Sequence, residues 1–526
     1  MTRLQDVNTT DIVGAIRLGC ETMSRTFNAD DGDLPYFSAS ASPVAQMLDV
    51  FGPEAHVPGR HLNALLSAED AARVPIDEAA VERHARAAFF SFSGPVRLPL
   101  RRDVLGGDLS VFSPHDVREG LHALYALARF RGSTRASRLF EESVAEVFAL
   151  WDADEGWAYD DLEQDHGISA VRERSFVSGV ARAIGPLVKY YRATYYGPAL
   201  ELALVLKEKA IAEVFRADGS FDSGRFGTHN HSTTCVMSSL AQLADLMHDV
   251  GLMDRVRAFY ENGLWEMRDE LGWSVETSDP EDTSARGEAN NTGDILETAL
   301  ILGRWGYPEC YHDAERILRC HLLPSQLRDI SFMTEAPNPE RLDGRRDVAA
   351  RLRGAFGFPA PYGHQPVKIM ESNKPRLGFN LDIVGGAVGS LCEALREATR
   401  LDETGHWVNL LFDRESPSVV VESPYTHPGL TVRLKTPAPL FVRIPPWAYI
   451  EHVHAQGFDA PFRRTNSYLF ISHPPVNRAI SIEFAMAPQE ITLKNPDDQI
   501  RVRLKGDQVV AMENLGADLT FFDPIG

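Results

Sequence analysis

The stretch Ser113-Pro114-His115-Asp116-Val117-Arg118-Glu119-Gly120-Leu121-His122-Ala123-Leu124-Tyr125-Ala126-Leu127-Ala128-Arg129-Phe130 decides the fold. Ser113 is placed to cap a helix, Pro114 suits its first turn, and Asp116 completes a Ser-x-x-Asp start signature. Leu121, Leu124, Tyr125 and Ala128 then fall on one face at helical spacing. A partner helix is predicted from Ala136 to Leu150, and the two-helix unit recurs. Phe176 to Arg192 pairs with Ala199 to Phe215, Ser232 to His248 with Asp254 to Glu270, and Asn291 to Trp305 with His312 to His321. Asp382 to Thr399 supplies a further helix, striped by Ile383, Ala387, Leu391 and Ala394. Asp11 to Thr26 and Asp77 to Ala88 read as a first, irregular pair.

The loops repeat as well: Asp30-Asp31-Gly32-Asp33, Asp154-Glu155-Gly156-Trp157, Asp218-Gly219-Ser220-Phe221 and Leu271-Gly272-Trp273. The later ones are spaced by roughly 55 to 65 residues, one helical hairpin with its connections. About six such hairpins must each bury a face against neighbours, and a closed ring does this without exposed end units. Beyond Leu401 the texture changes. Ser418 to Val421, Leu430 to Thr436, Leu440 to Ile444, Tyr468 to Ser472, Ile480 to Phe484 and Ile500 to Leu504 are short runs of β-formers, most of them separated by Pro, Gly or Asn. Val502 to Val510 reads as a hairpin turning at Gly506-Asp507. The predicted fold class is mainly α with β: an (α/α)6 toroid over residues 1–405, then a β-sandwich over 406–526. An open solenoid is the alternative closure.

A formal charge of −21 without a long Lys/Arg run argues against nucleic acid as a partner. Cys20, Cys235, Cys310, Cys320 and Cys392 are scattered, odd in number and without a C-x-x-C, so reduced buried thiols are expected. Met1 to Asn8 is polar and shows no basic segment leading into an apolar one, and no apolar run approaches roughly 18 residues. The expectation is a cytoplasmic protein with no membrane span, and a homo-oligomer is left open.

Inner helices of a toroid converge at one mouth, so polar residues at their starts and in the adjoining loops are the candidates. Thr228-His229-Asn230-His231-Ser232 opens a helix, and His229 and His231 there suit sugar hydroxyls. No third ligand motif accompanies them, so no metal and no cofactor are predicted. Trp273-Ser274-Val275-Glu276-Thr277-Ser278-Asp279 follows one helix and Gly287-Glu288-Ala289-Asn290-Asn291-Thr292-Gly293-Asp294 precedes the next. Glycoside hydrolysis needs one carboxylic acid to protonate the leaving oxygen and a second carboxylate opposite it. Glu276 is the predicted acid, Asp294 the base or nucleophile and Asp279 the reserve. Asn290, Asn291 and Glu288 are predicted to hold substrate. Trp157, Tyr159 and Trp273 are candidates for stacking on a sugar ring. His115 joins the substrate set from the first turn of its helix, and Ala360 to His364 is predicted to fold over the mouth.

Four segments carry a resemblance to glycoside hydrolase family 127, the β-L-arabinofuranosidase-like proteins, over about residues 113 to 490. Arg182 to Thr194 resembles that family's helix ending in a Tyr-x-x-Thr-Gly type turn, and Tyr311 to Arg316 its Tyr-Ala-Asp-x-x-Glu-Arg helix. Trp407-Val408-Asn409-Leu410-Leu411 resembles the entry to its β domain. Leu440-Phe441-Val442-Arg443-Ile444-Pro445-Pro446-Trp447-Ala448 is similar to its Leu-x-Ile-Arg-Ile-Pro-Gly-Trp-Ala strand. The resemblance implies the toroid with β-sandwich modules, and it places the family's acid/base glutamate near Glu276. The family's zinc-bound cysteine nucleophile is missing, because Asn291-Thr292-Gly293 and Val384-Gly385-Gly386 stand where its Glu-Thr-Cys and Cys-Cys segments fall. The expected function is therefore a metal-independent glycosidase acting on a small carbohydrate by carboxylate chemistry. The alternatives are a uronic-acid-directed hydrolase or lyase, for which Arg118, Arg182, Arg225 and Arg286 are available, and a non-catalytic sugar-binding relative.

Overall fold

The computed structural model describes the chain except residues 1, 42–43, 50–51, 283, 364–366, 369–374, 450–451, 460, 495–498 and 526. Among the described residues, twelve helices of ten residues or more build the larger part. In chain order they are α1 (Ile12–Met23), α2 (Pro53–Ala72), α3 (Glu78–Ser91), α4 (Val117–Arg131), α5 (Thr134–Leu150) and α6 (Ile184–Thr194). They continue as α7 (Gly197–Glu213), α8 (Asn230–Met247), α9 (Val250–Glu261), α10 (Ala289–Arg304), α11 (Pro308–Ile317) and α12 (Leu381–Ala398). Each even-numbered helix packs on the next, from α2 through α10 to α12, and α12 returns to α2. The odd-numbered helices lie outside against their hairpin partners, and α1 pairs with α12. The ring is closed, which excludes the open solenoid.

Sequence pattern separates the two layers. An outer helix such as α5 buries one stripe, Ala136, Leu139, Phe140, Ser143, Val144, Val147 and Leu150. In α8 every residue from Asn230 to Ala241 is buried, as expected of a helix enclosed on all sides. Their starts differ too. Asp11, Asp77, Ser133 and Asp249 cap outer helices through their side chains, whereas no inner helix has a side-chain cap.

The structure corrects the reading of the N-terminal region. The helix that enters the ring there is α2, which the sequence reading left out, and α1 and α3 are not each other's partner. Pro53, Pro58 and Gly59 interrupt the helical pattern of α2. Gly59 is needed because a Cβ there would lie 1.8 Å from the Glu119 carbonyl oxygen of α4, so the two helices meet backbone to backbone.

After α12 the chain forms two five-stranded sheets. One runs Thr399–Asp402, Gly405–Val408, Leu440–Arg443, Tyr468–Ile471 and Arg463–Thr465. The other runs Arg414–Glu415, Val419–Glu422, Leu430–Leu434, Ala479–Glu483 and His454–Gln456. Val408, Leu440 and Leu469 of the first share one hydrophobic cluster with Val421, Val432 and Ile480 of the second. Arg443 and Trp447 fasten these sheets to their surroundings: Arg443 is ion-paired with Glu315 of α11, and the Trp447 indole donates to Asp507 at 2.8 Å. The hairpin at Gly506-Asp507 forms between Gln499–Lys505 and Gln508–Met512. Pro488–Lys494 pairs with the first strand of this hairpin, and Leu493, Ile500, Val502 and Leu504 of the resulting sheet belong to the helical core, not to the cluster between the five-stranded sheets. In the predicted flap, the Tyr362 carbonyl accepts from Thr520 Oγ1 at 3.2 Å, while His364 lies outside the described residues. No helix among the described residues is long and apolar enough to cross a membrane.

Candidate active site at the mouth of the helical ring

Because the inner helices run in one direction, their N-terminal ends meet around a single cavity of about 380 Å³. Gly52, Asp116, His229, Glu288 and Asn380, the residues preceding α2, α4, α8, α10 and α12, all line it, and Ser178 approaches from the start of α6. Glu276 reaches the same wall through a small backbone ladder. Its N–H donates to the Arg286 carbonyl at 2.8 Å, and its own carbonyl accepts from the Asn230 N–H at 3.0 Å. Five of the predicted site residues therefore face one cavity: His115, His229, His231, Glu276 and Glu288.

The others are placed differently. Asp294 lies one helical turn deeper, accepting from Thr234 Oγ1 at 3.1 Å and lining a narrow chamber below the cavity with Asn290. Asn290 Nδ2 donates to Glu288 Oε1 at 3.0 Å, so it acts on the cavity through that carboxyl. The Asn291 amide donates to the Val275 carbonyl at 2.9 Å and braces the Glu276 loop in place of meeting a ligand. Asp279 accepts from the Glu281 N–H at 3.0 Å in a turn outside the cavity. Trp273 is buried with its indole donating to the Pro359 carbonyl at 2.9 Å. Trp157 is buried edge-on against Phe112, 4.8 Å between ring centroids. Both tryptophans are core plugs, since neither ring face reaches the cavity. Tyr159 accepts from the Glu173 N–H at 3.0 Å and lies under the Arg172 guanidinium, so it shapes the rim without forming the wall.

Two residues that the sequence reading did not assign to the site complete it. His56, one turn into α2, sits between Asp116 Oδ1 at 3.0 Å from Nδ1 and Asp382 Oδ2 at 3.3 Å from Nε2. Burial works against the imidazolium, but these two carboxylates prevail and raise His56 to about 9. Asp382, in the first turn of α12, feels the reverse. Burial opposes its charge, yet the His56 bond and charge and Arg60 bring it below the usual carboxylate range. Its Oδ1 is buried without a hydrogen-bond partner among the described residues. Glu288 moves the other way: burial, then the charges of Glu276 and Asp382, raise it to about 8. Glu276 is raised by burial, with Arg286 pulling against the shift through an ion pair.

Beneath the floor, one buried carboxylate, Glu119, holds three arginines. Arg182 approaches at 2.7 Å, Arg118 at 3.0 Å and Arg60 at 3.3 Å. Burial together with this excess of positive charge keeps the cavity's other imidazoles neutral: His229 falls to about 3, and His115 and His231 well below their ordinary value. A sequence signal for His56 and Asp382 was available only as helix-start polarity, because their meeting depends on ring closure.

His229, His231 and Glu288 each offer one ligand atom, all within 4.8 Å of one another. The set fits a metal poorly. Arg60 Nη2 donates to His231 Nε2 at 2.9 Å, which leaves the ring proton on Nδ1, the nitrogen turned towards Glu288 at 3.5 Å. A thiolate site has no donors here either, since all five cysteines are buried and none lines the cavity.

No protein-family model matches the chain, and no curated protein matches it in sequence. Solved structures do share its fold. A GH127 beta-arabinofuranosidase aligns over 94% of this chain and 79% of its own, at 13% identity and a TM-score of 0.58. The GH127 beta-L-arabinofuranosidase of Geobacillus stearothermophilus T6 aligns over 96% and 80%, at 14% identity and a TM-score of 0.54. A third structure, titled a glycoside hydrolase, aligns over 92% and 84% at 12% identity and a TM-score of 0.54. These are fold-level likenesses to glycoside hydrolases.

Proposed function

We propose that the chain is a glycoside hydrolase that cleaves a small glycoside at the mouth of its helical ring. The observation that carries this reading is the opposite displacement of two carboxyls in one cavity. Glu288 is pushed to about 8 and keeps its proton at neutral pH, while Asp382 is pulled down and stays ionised. In this reading Glu288 gives its proton to the glycosidic oxygen as the bond to the anomeric carbon breaks. Asp382 supplies the second carboxylate, as nucleophile or as the base that takes a proton from the attacking water. Glu276, ion-paired with Arg286, is moved from the proton-donor role to holding the charge that keeps Glu288 protonated. Asp294, below the floor and accepting from Thr234 Oγ1, is withdrawn from the base or nucleophile role. The neutral imidazoles of His115, His229 and His231 offer hydrogen bonds to sugar hydroxyls.

The same reading treats the paired five-stranded sheets as a β-sandwich appended to the toroid, with the strands Pro488–Lys494, Gln499–Lys505 and Gln508–Met512 assigned to the toroid on account of their shared core. It predicts hydrolysis within a panel of nitrophenyl arabinofuranosides, pyranosides and glucuronides, with turnover unchanged by chelator and abolished by Glu288→Gln. A panel without any turnover, or a Glu288→Gln protein as fast as wild type, would overturn it.

A further inference from the structure

On a chain of formal charge −21, the cavity rim carries three arginines, Arg101, Arg172 and Arg174. Arg172 and Arg174 flank Glu173 in the segment that follows the strand Ser169–Ala170. Their backbone is fixed from below by Tyr159, whose hydroxyl accepts the Glu173 N–H at 3.0 Å while its ring carries the Arg172 guanidinium at 4.8 Å. Arg174 is exposed and has no ion-pair or hydrogen-bond partner among the described residues. Arg101 lies over the start of α2, 2.8 Å from where a Cβ on Gly52 would stand.

Arg172 also reaches the exposed Asp160 at 3.9 Å, and acids that line the cavity interior are engaged by other groups. Asp116 and Asp382 share His56, and Glu276 is spent on Arg286. Three buried arginines meet one glutamate under the floor. The N-terminal ends of the inner helices add their partial positive charge from every side, with no side-chain cap to absorb it. A neutral sugar needs none of this, because hydroxyls are served by neutral donors and acceptors. A cavity that concentrates positive potential on an acidic protein also draws anions in at low ionic strength.

We propose that the sugar bound here carries an anionic group, a carboxylate, sulfate or phosphate, seated on Arg172 and Arg174 at the rim. The inference rests on the carbohydrate-cleaving reading for the rest of the ligand and adds the charged group to it. Guanidinium forks match the planar or tetrahedral oxygens of such groups in paired, charge-assisted hydrogen bonds.

The test separates binding from turnover. Isothermal titration of the full chain is run with D-glucuronic acid, D-galacturonic acid, glucose 6-sulfate, glucose 6-phosphate and the neutral parents glucose and galactose. At low salt at least one anionic sugar should bind about ten-fold or more tighter than its neutral parent. That advantage should shrink as salt rises, and it should vanish in Arg172→Ala/Arg174→Ala and in Arg174→Glu. The uronate and ester arms identify which oxygens are preferred. Equal binding of neutral parents, no binding of any anionic sugar, or an anionic preference that survives in both variants overturns the inference. Hydrolysis of nitrophenyl glucuronide against nitrophenyl glucoside then tells the two failures apart. Tight anionic binding without any hydrolysis sinks the hydrolase reading alone, and hydrolysis confined to neutral glycosides sinks the anionic-group inference alone.

Discussion

The two ends of the helical ring carry similar numbers of charged residues and treat them in opposite ways. At the C-terminal ends of the inner helices, a cavity of about 440 Å³ is lined by Arg192, Asp245, Arg304 and Glu397 among others. Arg304 pairs with both Asp245 at 2.9 Å and Glu397, and Asp245 also takes Arg192 at 3.2 Å and the Trp305 indole at 3.0 Å. Asp245 settles below the usual carboxylate range: burial opposes its charge, but Arg304 and Trp305 outweigh it. Cations there also suit the negative ends of the helices. At the N-terminal ends, Glu288 is held protonated, His115, His229 and His231 are neutral, and Asp382 Oδ1 and Asn290 Oδ1 lack hydrogen-bond partners among the described residues. The difference teaches where to look for chemistry: a polar cavity whose central charges, Arg304, Asp245 and Glu397, pair with one another serves the fold, and one with displaced, incomplete groups awaits a ligand.

The strongest challenge to this contrast is Asp382→Asn. It should lower turnover by a factor of about 10² to 10⁴ with folding intact, measured as kcat on whichever nitrophenyl glycoside is cleaved. Activity within a few-fold of wild type would erase the distinction between the two ends. Arg304→Ala probes the opposite end, where Arg304 pairs with Asp245 and Glu397. It should cost about 1–2 kcal/mol of stability in denaturant unfolding and leave kcat within about two-fold of wild type. A large loss of turnover would move the chemistry to that end.

A finer test uses pH. The basic limb of the kcat profile should fall near 8, where Glu288 loses its proton. Glu276→Gln removes a charge that holds this proton, so the limb should move to lower pH, and a limb that stays put would separate the two carboxyls. The smallest effect concerns stability. His56 is raised from 6.5 to about 9 in the folded chain, so its contribution is complete below about 6.5 and disappears as pH rises through 9. The fall in melting temperature between pH 7 and 10 should be shallower in His56→Gln than in wild type, and equal slopes would remove His56 from the ion cluster.

Much of this architecture was legible in the chain. The stripe of α4 and the Gly-Asp hairpin turn are local patterns, and local geometry decides them. What escaped was decided at a distance. Pro58 and Gly59 mask the pattern of α2 in the sequence, and Gly59 is there because the helix must touch α4 at the Glu119 carbonyl, a contact that no window of sequence records. His229, His231, Glu276 and Glu288 could be picked out because chemically capable residues cluster in two adjacent loops. His56 and Asp382 could not, since 326 positions separate them. The two tryptophans misled for a related reason: an aromatic at a loop base reads alike whether its ring faces solvent or is enclosed.

The meeting of α2 and α12 has a bearing on assembly. During synthesis, residues 53–72 emerge long before 381–398, so the early helices wait as an unclosed arc until the last one arrives. The imidazole and the carboxylate that face each other across that join are therefore among the final groups to come together. Any breathing of the arc at its join should silence the site while most helices remain formed, so loss of turnover should precede loss of helical circular dichroism on heating.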